Sequence, residues 1–137
     1  MFDHCLYFNT TALARRLEQE WASAFVAFDL TAPQAFMLRS VLARPGLLQR
    51  QLSEELVIAK STATRALDFL AAKGYIERHP GEGDGREKAI FPTDQARAIG
   101  AALDAASGAV TARLRQQLGS ATFADTVGAV KRVRAAL

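Results

Sequence analysis

Residues 47–86 read LLQRQLSEELVIAKSTATRALDFLAAKGYIERHPGEGDGR, and the rest of the chain takes its meaning from them. Leu48, Leu52 and Leu56 recur at helical spacing, and the pattern breaks at Val57-Ile58-Ala59. It resumes as a second helix from Lys60 to Lys73, followed by Gly74, a residue suited to a left-handed C-terminal cap. On this second helix Ala63, Ala66, Leu67 and Leu70 form one apolar stripe, while Ser61, Thr64, Arg65 and Asp68 fall on the other side. The exposed face therefore carries small hydroxyls and a guanidinium instead of the usual mixture of long Glu and Lys. Such side chains suit the major groove of DNA: short donors reach phosphates, and an arginine fork can read guanine. Tyr75 to Arg78 then alternates like a short strand, His79 to Gly85 reads as a turn with three glycines and a proline, and Lys88 to Phe91 can return as the partner strand. Helix, turn, helix and hairpin make a winged helix-turn-helix, and the fold class is mainly α (α+β) with a small β-hairpin wing.

Several of these residues carry a resemblance to the MarR-type transcriptional regulators, extending over nearly the whole chain. They are Lys60-Ser61-Thr62-Ala63-Thr64-Arg65 opening the second helix, Lys73-Gly74-Tyr75-Ile76-Glu77-Arg78, Asp84-Gly85-Arg86 in the wing, and Pro92-Thr93 before the next helix. The resemblance implies a sequence-specific, double-stranded-DNA-binding repressor that acts as a homodimer on a palindromic operator and answers to a small-molecule effector. The DNA-binding residues it implies are Lys60, Ser61, Thr62, Thr64 and Arg65 on the recognition helix, with Arg86 reaching the minor groove. Asp84 is expected to orient a neighbouring arginine in the wing and not to touch DNA. An effector crevice is expected between the reading head and the dimer helices, with Trp21, Phe25, Phe36 and Met37 as its apolar wall. Two departures stand out. Leu48 and Ala59 occupy positions where polar N-caps are common, so both helices should start without a side-chain cap. The wing, Gly81-Glu82-Gly83-Asp84-Gly85-Arg86-Glu87, is also less basic than is usual for the family.

Length and composition bound this reading. A chain of 137 residues, half of them hydrophobic, is one unit with enough apolar content for a sizeable core. The net charge of +3 permits a nucleic-acid partner without requiring one. Residues 44–92 carry eight basic and seven acidic side chains, so any positive face there must come from geometry. The single cysteine excludes a disulfide within the chain and fits a reducing, cytoplasmic setting. No basic leader region and no apolar run of membrane-spanning length is present, so export and anchoring are not expected.

Outside the reading head the pattern is helical. Leu13, Leu17, Trp21, Ala24, Phe25 and Phe28 predict a long first helix over residues 6–28. Thr31, Pro33 and Gln34 open a second over residues 32–43 with a capping box; Phe36 or Met37 is expected to be buried, then Val41 with Leu38 or Leu42. Thr93 caps a helix over residues 94–118 with the stripe Ile99, Leu103, Ala106, Val110, Leu114 and Leu118, and Gly119 closes it. A last helix over residues 120–136 carries Phe123, Val127, Val130 and Val133. The division expected is one unit over 1–137, with the winged helix-turn-helix at 30–92 and dimerisation helices at 1–29 and 93–137. Paired with a second copy, the outer helices would bury a proper core; alone they make a thin layer. A two-fold dimer sets its recognition helices about 34 Å apart, one turn of DNA.

Catalytic chemistry finds no foothold. His4, His79 and Cys5 have no ligand spacing for zinc, no glycine-rich phosphate loop follows a strand, and the adjacent Glu54 and Glu55 point apart on a helix. No enzyme activity, cofactor or metal is expected. The alternative comes from a different class, a winged-helix protein-interaction module that never reads DNA. Cys5 is the redox candidate, because a thiol at the start of a helix is favoured as thiolate. It lies about two positions nearer the N-terminus than the sensing cysteine of oxidant-responsive relatives, a turn of about 200° on a helix.

Overall fold

The computed structural model describes residues 1–80 and 87–137. Six α-helices and three short strands run in the order α1 (Leu6–Phe25), α2 (Ala32–Ala43), β1 (Leu47–Leu48), α3 (Gln49–Leu56), α4 (Lys60–Ala72), β2 (Ile76–Pro80), β3 (Lys88–Pro92), α5 (Asp94–Leu118) and α6 (Ser120–Ala136). One core runs through the reading head and out to α1 and α5. Phe25, Met37, Leu38, Leu52, Leu67, Leu70, Ile90 and Leu103 are its large, fully buried members.

The helix starts follow from their caps. Thr31 accepts from the Gln34 N–H at 3.3 Å while the Gln34 amide accepts from the Thr31 N–H at 3.0 Å, a complete capping box. The Thr93 hydroxyl accepts from Ala96 N–H at 3.3 Å. At α3 the reciprocal half survives without its partner: Gln51 accepts from the Leu48 N–H at 2.9 Å, but leucine has no oxygen to return the bond. Ala59 likewise offers α4 no side-chain cap. The N–H groups of the first turn of α4 therefore stay open for an outside acceptor.

The turn between α3 and α4 is a Schellman motif. Ile58 N–H donates to Ser53 at 3.1 Å and Val57 N–H to Glu54 at 3.2 Å, with Val57 left-handed at φ +56. A β-branched residue is strained there, because its Cβ crowds the following carbonyl. Val57 is also 67% exposed, so little burial is lost by changing it. Val57→Asn is expected to raise the unfolding free energy by roughly 1 kcal/mol, read by chemical denaturation; an unchanged midpoint would mean that the left-handed backbone is not strained.

The sheet is antiparallel with order β1-β3-β2. Ile76 pairs with Pro92 and Pro80 with Lys88, while Leu47 pairs with Ile90 and Leu48 with Ala89. The first strand of the hairpin, β2, thus begins one residue later than the alternation predicts. It continues through His79 and Pro80, residues expected in the turn that pair instead with Ala89 and Lys88; β3 takes in Pro92, and β1 is an addition. Pro45-Gly46 turns the chain so that Gly46, at φ +92, donates to Ile90 at 2.8 Å. A Cβ on Gly46 would come within 3.3 Å of the Phe91 ring.

Two expectations are corrected. The first helix ends at Phe25, and Val26–Phe28 is a single 3₁₀ turn closed by Asp29 in the left-handed region at φ 55. Lys73 accounts for the early stop: its ammonium donates to the Asp29 carboxylate at 2.6 Å and to the Asp29 carbonyl at 2.9 Å. This end of the long helix is set by a residue more than forty positions away. In the stripe of α5, Leu118 stands half out in solvent, and α6 has no buried residue at all.

The Lys73–Asp29 contact also has a pH consequence. The hydrogen bond from Lys73, followed by its charge, holds the Asp29 carboxyl below its ordinary 3.8. Lowering the folded-state value makes the contact stabilising above the unfolded value, and the contribution is lost as pH falls through the folded one. Asp29→Asn should therefore lower stability near neutrality and leave it little changed at low pH, which flattens the acid limb of the stability curve. Urea midpoints from pH 2 to 7 test this, and an acid limb as steep in the variant would rule the contact out as its source.

Candidate nucleic-acid interface

The exposed face of α4 carries Ser61, Arg65 and Asp68, with Thr62 and Thr64 half-buried at its flanks. Ala63, Leu67 and Leu70 lock the other face into the core with no exposed surface, so the helix cannot rotate without opening the interior. Its far end is fixed as firmly. Lys73 binds Asp29, the Thr93 hydroxyl donates to the Gly74 carbonyl at 2.6 Å, and the Gln95 amide donates to the Lys73 carbonyl at 3.3 Å. Gly74, at φ +81, leaves room for that contact, since a Cβ there would meet Gln95 Oε1 at 2.9 Å. The candidate reading helix is thereby tied at one end to the elements preceding α2 and to α5.

Charge is distributed by pairing. Asp68 takes Arg78 at 2.7 Å, Arg50 lies between Glu54 at 3.7 Å and Glu87 at 3.4 Å, and Arg44 takes Glu55 at 2.9 Å. Lys60, Arg65 and Lys88 make no ion pair with any described residue. Among the described residues of a region almost neutral by count, positive charge without an ion-pair partner therefore lies at the start of α4, on its exposed face and at the base of the wing. Asp68 on that face is already answered by Arg78, which lessens its repulsion toward a phosphate.

Arg65 is exposed, as expected of a base reader, and Lys60 and Ser61 sit exposed at the open first turn. Thr64 is less free. Its hydroxyl donates to the Lys60 carbonyl at 3.0 Å and accepts from the Gln49 amide at 2.7 Å. Gln49 was not among the residues singled out from the sequence, and a lone glutamine at a helix start offers no signal that could have found it. Arg86 and Asp84, the wing candidates, lie outside the described residues.

The residues expected to wall an effector crevice are divided by the fold. Phe25 and Met37 have no exposed surface and belong to the core, whereas Phe36 is 37% exposed and Trp21 half-buried. Phe36 meets Phe25 edge-on at 6.1 Å and lies under the Arg39 guanidinium at 5.0 Å. Arg39 also donates to Asp104 at 2.8 Å and to the Ser107 hydroxyl at 3.0 Å, which accepts from the Trp21 indole at 3.0 Å as well. This polar node joins α1, α2 and α5. An open cleft of about 780 Å³ lies elsewhere, between α3 and the wing strands, and none of the four residues lines it. Cys5 is exposed and is itself the N-cap of α1, its Sγ accepting from Phe8 N–H at 3.5 Å. Among the described residues no cluster of three or more His, Cys, Asp or Glu could hold a metal ion, and no helix is long and apolar enough to cross a membrane.

Residues 28–87 match the family model described as the MarR family. Over 87 residues the chain is 31% identical to an uncharacterized HTH-type transcriptional regulator, YybA, of Bacillus subtilis (strain 168). That match takes in 64% of this chain and 58% of the relative, so the chain spans under two thirds of the relative's length. Among solved structures, the transcriptional repressor CouR bound to a 23-mer DNA duplex superposes with a TM-score of 0.88 at 21% identity, covering 97% of this chain and 94% of that one. The S. aureus MepR–DNA complex gives 0.85 at 19% identity and covers 98% of each chain. At these identities the structural matches establish the fold.

Proposed function

We propose that the chain, which matches the MarR family model over residues 28–87, is a sequence-specific, double-stranded-DNA-binding transcriptional regulator and not an enzyme. We read it as a cytoplasmic repressor acting as a homodimer on a palindromic operator. The observation that carries this reading is the state of α4: packed rigidly on one face, uncapped at its N-terminus, and bearing on its open face an arginine paired with no described residue. Open backbone N–H groups at a helix start suit phosphate oxygens, and an unpaired guanidinium fork suits guanine O6 and N7. Arg65 is assigned to a base edge, Lys60, Ser61 and Thr62 to the backbone and groove wall, and Thr64 to the base edges beside Arg65. Arg86 joins the set on resemblance alone, with Asp84 orienting the wing. The CouR and MepR complexes with DNA support the assignment by likeness of fold.

Homodimer formation is supported by the exposed apolar surface of the outer helices, which include Leu6, Tyr7, Phe8, Val127 and Val130. We infer an effector site at the meeting of α1, α2 and α5, a reading supported by the hydrogen-bonded node of Trp21, Arg39, Asp104 and Ser107. A ligand that rearranged this node would tilt the reading heads against the dimer helices and change the spacing of the two α4 helices. The test is selection of bound duplexes from a random pool at moderate salt. A palindrome with half-sites about one helical turn apart is expected. Binding without sequence preference, or none, would favour a winged-helix protein-interaction module instead.

A further inference from the structure

We propose that Thr64 reads DNA with its methyl group and that Gln49 is the positioning residue that makes it do so. The inference rests on the DNA-binding reading above. A threonine hydroxyl has one proton and two acceptor sites. On Thr64 the proton is directed at the Lys60 carbonyl, 3.0 Å away, and one acceptor site is filled by the Gln49 amide at 2.7 Å. The second of these bonds crosses from α3 to α4, and both residues are half-buried, so water competes poorly for it. Thr64 therefore has no donor left for a base. With the hydroxyl turned back onto the protein, the γ-methyl is the part of the side chain left to meet a base edge, and its apolar complement in the major groove is the C5-methyl of thymine. Back-bonding of threonine onto the fourth preceding carbonyl is common in helices; the bond from Gln49 is what removes the choice between rotamers.

The helix geometry supports this division of labour. Thr64 and Arg65 are consecutive and so lie about 100° apart around α4. Arg65 stands on the exposed face, while Thr64 sits on the flank that turns toward the start of α3. A long polar fork on the open face and a short apolar contact on the flank can engage neighbouring base pairs together. Gln49 keeps its side-chain oxygen and second side-chain amide hydrogen uncommitted to any described residue, at the edge of the same surface.

The test uses the full-length chain and its selected duplex, replacing each thymine in turn with deoxyuridine, which lacks only the methyl. Wild type should lose about fourfold in affinity at one position of each half-site, the worth of one methylene-sized apolar contact. Thr64→Val keeps the methyl and should retain that thymine preference. Thr64→Ser keeps the hydroxyl and should bind both bases equally. Gln49→Ala, with an unchanged melting curve, should bring the thymine-to-uracil ratio toward one, a readout that a merely structural role would not move. The idea is overturned if wild type shows a ratio of one at every thymine. It is equally overturned if Thr64→Ser keeps the preference while Thr64→Val loses it, which would mean hydroxyl reading. A wild-type protein that binds no duplex would instead sink the DNA-binding reading, and this inference with it.

Discussion

Arg65→Ala should reduce affinity for the selected duplex by roughly 1–3 kcal/mol per half-site, about five- to 150-fold, and relax specificity at a single base pair in each half-site. The size follows from what the side chain is left to do. Arg65 is exposed, contributes nothing to the core and pairs with no described carboxylate, so its removal should leave the melting curve almost unchanged. All of the effect should then appear in binding. Arg65→Lys separates shape from charge: a lysine keeps the phosphate attraction but lacks the planar fork, so it should recover non-specific affinity without recovering the lost base preference. Anisotropy titrations against the operator and its single-base variants give both numbers. A loss equal across all sequences would make Arg65 a phosphate contact and remove it from the base-reading set. No loss with an intact fold would favour the interaction module.

The parts of this protein legible in its sequence are those decided by neighbours along the chain. Thr31 with Gln34, Thr93 and Gly119 fixed helix ends through caps that act over three or four residues, and these boundaries agree with the structure. Gly74 marked the end of α4 for the same reason. What stayed hidden was decided across the fold. The two-residue β1 exists only because β3 passes beside it, and α1 stops early because Lys73 reaches Asp29. Periodicity alone could not choose between Phe36 and Met37, which sit about 100° apart at the edge of one apolar face. Met37 faces inward, while Phe36 is turned out under Arg39. The candidate site divides similarly. Its residue types and face could be read from Ser61, Thr64 and Arg65, but the commitment of Thr64 to Gln49 could not, because nothing in the spacing of residues 49 and 64 signals a hydrogen bond.

Val127→Asp/Val130→Asp is expected to raise the dimer dissociation constant by about two orders of magnitude or more. In the single chain α6 buries none of its residues, and Val127 and Val130 remain 46% and 43% exposed on the side that also carries Phe123 and Val133. An apolar strip of that kind gains its stabilisation only when a second surface covers it. By two-fold symmetry each substitution enters the interface twice. Full burial of a valine is worth roughly 1.5 kcal/mol at the low end, and with under half of each still exposed about 0.7 kcal/mol remains, so the two valines counted in both protomers supply about 3 kcal/mol. An unpaired carboxylate placed there adds a desolvation cost in the same direction. Because the reading head and its core do not rest on α6, helical content and the unfolding of residues 28–87 should persist in the variant. Operator binding should fall with dimerisation, since the second half-site then ceases to be an intramolecular partner of the first. Sedimentation over a concentration series reads the first effect, and titration of one-half-site and two-half-site duplexes reads the second. A variant that sediments as wild type would move the interface off α6, whereas one that is monomeric yet binds the full palindrome as tightly would break the link between dimerisation and recognition.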